Sequence, residues 1–584
     1  MKTTMNTHIL YKAMHKAAFV AMGLPLLLTS CGNDWLDVSS KTDASTGNFN
    51  QTAAQADILL NGCYDGWQGT VSQGPTFSFQ MASEYMSDEC YGGTGANDAR
   101  NSQVVDRFDQ SQDVSQTDLY NDLWTYYYAA IYNCNELLSL ENNYSWTEKE
   151  HGRIIGECRA IRALCYFDLV RMFENVPLVT EPVNENILQA APDSVYALIV
   201  RDLKYAAAHI PADAYPKADA ATNDGRITRY AAEAMLGRVY LFYDGVYNDN
   251  KRGTMPGELT AAEALAAEED VIQSGAFSLI SNYKNLWPAA ANCTSYKGYW
   301  LGDVNGSTKT SSYAGNGNAE TVLAMKFNYT GDYNGNNAGN RSIVMFGIRS
   351  GKCLQAPYGQ GWGGATVTSK AWNWFGTGDM RQGASIINLA QEGIAANKDY
   401  QSVISDQREY TGFNIKKYTP LSKIAEDGSL NHYYQEVLAG DFQISQPQDY
   451  VLMRYSDVLL MAAELGSPHA QYYFNEVRKR AYTQDDGTLS NGYKELPATE
   501  DNILNERKLE FVGEGIRYWD LLRQGIQVAA KAIAASSGTV ETGGSNETVT
   551  ISADNIIAKR GFSQIPLTQI QRSNHVLKQN KGWD

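Results

Sequence analysis

The chain has 584 residues, of which 43% are hydrophobic, and it carries a formal net charge of −17 at pH 7. This length and composition allow a large core with more than one subdomain. The acidic balance argues against nucleic-acid binding, because neutralising phosphates needs basic patches. The 37 tyrosines and 11 tryptophans supply flat rings, which serve either in packing or as stacking platforms for ligands.

Residues 1–30 have the pattern of a lipoprotein signal peptide. Three lysines precede an apolar stretch over residues 17–28, which is about a dozen residues long and shorter than the ~20 that a transmembrane helix requires. The tetrapeptide Leu-Thr-Ser-Cys then ends at Cys31. We expect Cys31 to be lipidated, so that the mature chain is anchored to a membrane without spanning it. The alternative is an ordinary secretory signal with an incidental cysteine.

Residues 31–50 are polar and rich in turn-forming residues, which predicts a lipidated tether. Residues 51–282 show repeated helical patterns. In the best of them, a capping box at Thr147 and Glu150 precedes apolar residues at the spacing of an amphipathic helix. Those apolar residues are Ile154, Cys158, Ile161, Cys165 and Leu169. Further helical patterns lie over 51–67, 118–140, 229–243 and 261–274, and another begins at Pro192.

Residues 283–445 have a different composition, rich in Gly, Asn, Ser and Tyr and with five tryptophans. Short strand-like runs over 321–327 and 342–348 interrupt this region. Long irregular excursions from a helical scaffold lose conformational entropy on ordering and are usually functional. We therefore expect ligand recognition in this variable region and in the smaller loop 81–107.

Helical patterns return in residues 446–584, over 450–465, 470–481, 503–514 and 518–531. Helices that follow one another in pairs of about 35–45 residues favour a stack like that of tetratricopeptide repeats. We predict a mainly α fold with a right-handed superhelical scaffold of about four helix pairs. A large region of irregular loops and short strands is expected on one side.

Recognised catalytic and metal-binding motifs are absent from the sequence. There is no HExxH, GxSxG, glycine-rich phosphate loop or Cys/His cluster, so we predict neither an enzyme nor a metal centre. Asp332, Asn334 and Asn336 resemble the start of a calcium loop, but Asn337 stands where that loop needs glycine. We interpret the segment as a polar turn and predict no cofactor, with a structural calcium left open.

Two further groups of reactive residues are interpreted as structural. Glu506, Glu510 and Glu514 lie on one helical face with Arg517, and ion pairing on a packed repeat is favoured over a site. The seven cysteines other than Cys31 form no CxxC motif, and Cys158 and Cys165 are expected to be buried as small hydrophobic residues.

Groups suited to binding saccharides are present. Saccharides offer apolar C–H faces ringed by hydroxyl groups, which aromatic planes and Asn, Asp and Arg side chains recognise. Loop 81–107 and the variable region carry such residues. We predict ligand contacts from Tyr91, Asn97, Asp98, Arg100, Trp300, Tyr313, Tyr329 and Tyr333.

Ordered motifs along the chain resemble the SusD/RagB family, which comprises outer-membrane lipoproteins of Bacteroidetes. The segment RYSDVLLMAAE at 454–464 is similar to the family's RYADVLLMYAEA helix, and YFNEVRKRA at 473–481 is similar to its YINxVRxRAG. NERKLEFVGEGIRYWDL at 505–521 resembles ERRxELAFEGHRxxDLxRWG, although Ile516 stands where the family has His. IPLTQI at 565–570 resembles PIPxxEI, and the Gly-Trp-Gly-Gly around Trp362 also recurs in the family.

The resemblance implies a four-repeat helical scaffold with a variable irregular region on one side. It implies a cell-surface, outer-membrane lipoprotein that acts as the lid of a SusC-like TonB-dependent transporter and delivers captured nutrient to it. The motif residues would be structural, and the ligand-binding residues of the family lie in variable loops that do not carry over by motif.

The leading hypothesis is therefore a non-catalytic lipoprotein that binds oligosaccharide or polysaccharide for uptake. An oligopeptide-binding relative on the same scaffold is the first alternative, and a surface glycan hydrolase is the second. The sequence does not name the glycan or its linkage.

Overall fold

Successive helices packed against one another form the first half of the chain. The computed structural model describes residues 51–72, 76–183, 185–214, 225–293, 304–305, 308–309, 311–328, 338–349, 353–424, 427–432 and 442–583. The helices of the first half are α1 Ala53–Ser72, α2 Phe79–Tyr85, α3 Asn101–Asp106, α4 Asn121–Ser139, α5 Glu148–Phe173, α6 Pro192–His209, α7 Arg229–Tyr247 and α8 Ala261–Gln273. Helix α1 packs on α4 and α5, and each helix from α4 to α7 packs on the one that follows it.

Helix α5 has 26 residues, most of which are buried. The predicted capping box is confirmed, since the Thr147 hydroxyl accepts from the Glu150 amide and the Glu150 carboxylate accepts from the Thr147 amide at 2.8 Å. All five apolar residues predicted on its inner face are fully buried. Gly156 lets the end of α6 come close, because a Cβ there would lie 2.5 Å from Cγ1 of Ile210.

Shorter helices make up much of the rest of the described chain. They are α9 Arg341–Phe346, α10 Ser369–Trp372, α11 Arg381–Ser385, α12 Tyr400–Asp406, α13 Tyr455–Glu464, α14 Ala470–Ala481, α15 Glu500–Glu510, α16 Arg517–Leu522, α17 Ile526–Ala534, α18 Ala553–Ala558 and α19 Leu567–Arg572. The predicted mainly helical class with a tetratricopeptide-like scaffold is confirmed.

The strands of the described residues pair two by two and antiparallel. The pairs are β1 Cys90–Gly93 with β7 Gly364–Val367, β2 Val176–Pro177 with β3 Gln189–Ala190, β4 Val304–Asn305 with β5 Thr308–Lys309, β6 Thr321–Met325 with β12 Tyr450–Arg454, β8 Ile386–Asn388 with β9 Phe413–Ile415, β10 Ser422–Ile424 with β11 Leu430–His432, and β13 Gly538–Thr542 with β14 Ser545–Val549. A separate small core, which includes Tyr313, Tyr358 and Leu421, lies in the variable region.

Three predicted elements differ in the structure. The single helix predicted over 518–531 is interrupted at Gly525, which has a positive φ, and forms α16 and α17 instead. The helix expected over 450–465 begins only at Tyr455, because residues 450–454 form β12 and pair with β6, itself the confirmed strand at 321–327. The strand predicted over 342–348 is wrong, since most of these residues lie in helix α9. The Asn340 side chain accepts from the Ser342 amide and starts that helix, a local signal that outweighs the β-branched residues.

Buried ion pairs join the variable region to the C-terminal helices. Arg454 donates to Glu320 at 2.6 Å, to Glu510 at 2.9 Å and to Glu514 at 2.8 Å. Arg480 pairs with Glu320 at 2.8 Å and Glu510 at 2.5 Å. The structural interpretation of the acidic stripe therefore agrees with the structure, but its partners come from other elements rather than from one helix. We call these five residues the Arg454 cluster.

Three cysteines that are distant in sequence meet between helices. The sulfur atoms of Cys63 in α1, Cys134 in α4 and Cys158 in α5 lie within 4.8 Å of one another, and all three side chains are fully buried. Burial raises the pKa of the Cys134 and Cys158 thiols well above the ordinary value. They are therefore neutral and fill the helix interface as small apolar groups, as expected for Cys158.

The described helices do not include one with both the length and the apolar character needed to cross a bilayer. From Asn50 to Asp584 the chain forms one compact unit. The boundaries predicted between 282 and 283 and between 445 and 446 fall inside this unit and stay predictions.

Candidate functional site

Loop 94–100 continues from β1 and is held by backbone hydrogen bonds to two other segments. The Thr94 amide donates to the Gly363 carbonyl at 2.7 Å, and the Ala96 amide donates to the Asp406 carbonyl at 2.9 Å. The hairpin of β13 and β14 joins from the other side, where Tyr410 bridges to Glu541. We call the exposed surface formed by residues 94–100, 361–363, 406–410 and 538–549, together with the Arg349 side chain, the loop face.

A buried arginine fixes the shape of loop 94–100. The guanidinium of Arg408 is almost fully enclosed and donates to the carbonyls of Ala96 at 2.8 Å, Asp98 at 2.7 Å and Ala99 at 3.2 Å. Burial lowers the pKa of Arg408 from its ordinary value. Three carbonyls on one cation make the loop a rigid support for the side chains that point away from it.

A second arginine connects the loop to its neighbours. The Arg349 side chain donates to the Asp406 carboxylate at 2.8 Å and to the Trp362 carbonyl at 3.2 Å, and it lies 3.6 Å from the Asp98 carboxylate. Gly95 makes room for it, because a Cβ there would lie 2.3 Å from the Arg349 Nη2. Half of each carboxylate side chain stays exposed, 51% for Asp98 and 49% for Asp406.

The loop face also offers groups without protein partners. Asn97 is exposed, and its carboxamide has no hydrogen bond within the described part of the chain. Arg100 is bound on one side only, to Glu547 at 3.1 Å, and keeps 37% of its side chain exposed. The half-buried ring of Trp362 lies 5.4 Å from the Arg341 guanidinium carbon. A surface that combines a part-exposed ring, a free amide and oriented carboxylates is suited to hydroxyl-rich ligands.

The structure brings three of the predicted residues together on this surface, namely Asn97, Asp98 and Arg100. Tyr91 and Tyr313 are not part of it, with only 6% and 3% of each residue exposed. The Tyr91 hydroxyl donates to the Ser536 carbonyl at 2.5 Å, and burial raises the pKa of Tyr91 to about 12. The Tyr313 hydroxyl donates to Asn316 at 2.8 Å inside the small core.

Both rings are buried and both hydroxyl groups are hydrogen-bonded, so neither tyrosine offers a ring face on which a ligand could stack. The remaining predicted contacts, Trp300, Tyr329 and Tyr333, lie outside the described residues, as do the lipidation site Cys31 and the polar turn at 332–337.

Sequence reasoning missed the residues that support the loop. Arg349, Asp406 and Arg408 lie far from loop 94–100 in sequence, and none of them belongs to a recognised motif. The one signal near them was the Gly-Trp-Gly-Gly sequence, whose Gly363 carbonyl receives the Thr94 amide. Only the fold shows that these segments meet.

Replacing Arg408 by methionine is expected to loosen loop 94–100 while leaving the helical scaffold folded. The substitution leaves three carbonyls without their donor, and hydrogen bonds to a charged group contribute about 1.5–3 kcal/mol each. Hydrogen exchange should show backbone amides of residues 94–100 exchanging at least tenfold faster, with amides of α5 unchanged. Equal protection of the loop in both proteins would show that Arg408 does not hold it.

The chain is similar to known protein families and to individual curated proteins. A model described as "SusD family" matches residues 319–583, and one described as "Starch-binding associating with outer membrane" matches residues 34–241. The chain is 26% identical to SusD-like protein P25 of Formosa agariphila over 424 residues, 70% of each chain. It is 22% identical to SusD-like protein P2 of the same organism, over 85% of this chain and 89% of the other.

Solved structures share the fold. A structure titled "Laminarin binding SusD-like protein" has a TM-score of 0.66 and 24% identity, covering 91% of this chain and 99% of that one. Surface glycan-binding protein A from Bacteroides thetaiotaomicron, solved in complex with laminarihexaose, has a TM-score of 0.66 and 21% identity, covering 91% of this chain and 100% of that one. The two family models, which between them match most of the chain, show that the protein belongs to the SusD/RagB family.

Proposed function

We propose that this chain binds a neutral oligosaccharide on the loop face at the cell surface and does not cleave it. The observation that carries the proposal is the free, exposed carboxamide of Asn97 on a loop whose carbonyls Arg408 holds, on a surface that also includes the part-exposed Trp362. The glycan-binding titles of the structural relatives support the ligand class. A preformed set of polar groups next to a ring binds hydroxyls without a large ordering penalty.

We further propose that Cys31 carries the lipid anchor and that the partner is a SusC-like TonB-dependent transporter, for which this protein acts as a lid. The description of the N-terminal family model, which mentions association with the outer membrane, supports this location. The carboxylates of the loop face support binding rather than hydrolysis, because Asp98 and Asp406 both face Arg349. Carboxylates held beside a guanidinium in this way are oriented acceptors for ligand hydroxyl groups.

Titration calorimetry against laminarihexaose, maltohexaose, cellohexaose and xylohexaose tests the proposal. At least one hexasaccharide should bind and should be recovered uncut by chromatography. A pool of neutral hexapeptides in the same cell distinguishes the peptide-binding alternative. Binding of peptides but no hexasaccharide would overturn the proposal, and release of shorter sugars would point to a hydrolase.

Replacing Asn97 by alanine is expected to weaken binding about tenfold, since a lost hydrogen bond to ligand is worth ~1 kcal/mol or slightly more. Trp362→Ala should weaken binding more strongly, because stacking on an aromatic ring contributes about 1–3 kcal/mol. Asn142→Ala is the matched control for the first variant, since Asn142 is exposed at the far end of α4. Affinities that match the control would remove Asn97 and Trp362 from the site.

A further inference from the structure

We propose that a second saccharide-binding pocket lies on the helical scaffold, at one face of α4 and separate from the loop face. The pocket has a volume of about 250 Å³ and is lined by α4, by residues 177–187 without the undescribed position 184, and by α19. None of these elements contributes to the loop face. The inference rests on the proposed function for its ligand class, and its own evidence is the chemistry of this pocket.

An aromatic stripe forms one wall of the pocket. Trp124, Tyr128 and Tyr132 follow one another four residues apart along α4 and therefore share one helical face. Their exposure rises along the stripe, from 4% at Trp124 through the half-buried Tyr128 to 49% at Tyr132. The Tyr128 hydroxyl donates to the Pro177 carbonyl at 2.9 Å, which fixes the middle ring. The stripe thus descends from an exposed rim to a buried floor.

The floor of the pocket carries an unused hydrogen-bond donor. Only 4% of Trp124 is exposed, and its indole N–H forms no hydrogen bond with another residue that the structure describes. The buried Trp519 shows the usual arrangement, since its indole N–H donates to the Ser83 hydroxyl at 2.8 Å. The Trp124 N–H is therefore available to a ligand oxygen that enters the pocket.

The rim carries polar groups that suit hydroxyl pairs. Arg572, at the end of α19, and Asn186 both line the pocket and are exposed, and neither forms a hydrogen bond with another described residue. Glu185 lines the same rim and offsets the charge of Arg572. A rim with balanced charge favours a neutral ligand, and planar guanidinium and carboxamide groups match adjacent hydroxyls.

The size of the pocket limits the occupant. Its volume of about 250 Å³ is below the ~300–1,000 Å³ typical of pockets that enclose a drug-sized molecule. It therefore suits a short stretch of a glycan, with the rest of the chain in solvent. Two sites on one protein would hold a long glycan more tightly than either alone, because the second contact becomes intramolecular.

The stoichiometry of hexasaccharide binding tests the pocket. Calorimetry with the same four hexasaccharides is expected to fit two sites per chain, with the same sugar occupying both. Tyr132→Ala should weaken one site at least tenfold and leave the other unchanged. Trp124→Phe, which keeps a ring but removes the N–H, should affect that same site. Tyr472→Ala is the matched control, because Tyr472 is a tyrosine 60% exposed on α14, away from the pocket.

The outcomes separate this inference from the proposed function. A single site per chain, or two sites that Tyr132→Ala leaves unchanged, would overturn the second pocket and leave the loop face standing. If two sites are found and the Asn97 and Trp362 variants change the affinity of neither, the loop-face proposal is overturned while the pocket stands. Thermal melting of each variant confirms that a lost site is not lost folding. No hexasaccharide binding at all would overturn both.

Discussion

Replacing Arg454 by methionine is expected to lower the free energy of unfolding by about 3–5 kcal/mol, because it removes one of the cations that pair with a group of buried carboxylates. Arg454 is almost fully buried and donates to Glu320, Glu510 and Glu514 from one guanidinium. Methionine fills much of the volume of the arginine side chain, so the loss of stability reflects the missing charge rather than a cavity. Arg480 keeps its own bonds to Glu320 and Glu510 in this variant. We therefore expect a loss of stability in the lower part of this range.

Urea denaturation at pH 7, followed by tryptophan fluorescence, measures the change. Lys149→Met is the matched control, because Lys149 pairs with Asp213 at 2.8 Å while both side chains are mostly exposed. Exposed pairs contribute about 0–1 kcal/mol, so this variant should stay within that range. A loss for Arg454→Met no larger than that of Lys149→Met would show that the Arg454 cluster does not hold the variable region to the C-terminal helices.

Stability is expected to pass through a maximum near pH 5 and to fall steeply in acid. Burial alone would raise the pKa of Glu510, but Arg480, Arg454 and Arg381 outweigh it and lower the pKa to about 2. The same competition, with Arg507 and Arg523 as the cations, lowers the pKa of Asp520 to about 2. A carboxyl whose folded pKa is lowered stabilises the protein above its unfolded pKa and loses that contribution as pH falls.

Between pH ~4.5 and ~2 these two groups together should remove about 5 kcal/mol of stability, roughly 3 from Glu510 and 2 from Asp520. On the other side of the maximum the sign reverses. Burial raises the pKa of Glu84 and of Glu233 to about 7, so the folded state binds more protons than the unfolded state between pH ~4.5 and ~7. Stability therefore decreases as pH rises through that window.

Urea denaturation midpoints at pH 2.5, 3.5, 5, 6 and 7 check this profile. The acid decline should be smaller in Glu510→Gln, which cannot lose a charge there, although that variant is less stable at pH 5. A profile that stays flat between pH 5 and 2.5, or an acid decline of the same size in Glu510→Gln, would contradict the assignment.

Local signals in the sequence predicted much of the fold. The capping box at Thr147 and the apolar spacing behind it determine α5 without help from distant residues, and the structure confirms both. The helix prediction was wrong for residues 450–454, because they run directly into a helix. Their pairing with β6 depends on a segment more than a hundred residues away in the sequence. The sequence of a short apolar run does not show whether it forms a helix or pairs as a strand with a distant segment.

The candidate site was predictable only in part, for the same reason. Asn97, Asp98 and Arg100 lie in one loop, so a local reading placed them together. Composition cannot tell a ring that faces solvent from one that closes a core, and Tyr91 proved to be buried. Arg349 and Arg408 act through long-range contacts with that loop and became visible only when the segments were seen to meet.

The protein therefore combines a stack of helices with a surface built from several loops, which we propose as its recognition surface. The ionic cluster around Arg454 fixes the variable region on the stack, and Arg408 fixes loop 94–100 within it. Such support from buried charges keeps the loop face ordered without a ligand, which favours capture of a flexible chain from solution.

A crystal structure of the protein with its best-binding hexasaccharide decides whether the loop face is the binding surface. We expect an intact sugar chain whose hydroxyls contact the Asn97 carboxamide and whose ring lies against Trp362, with loop 94–100 in the same conformation as without ligand. A sugar bound only at surfaces away from the loop face, or a cleaved sugar in the site, would contradict it.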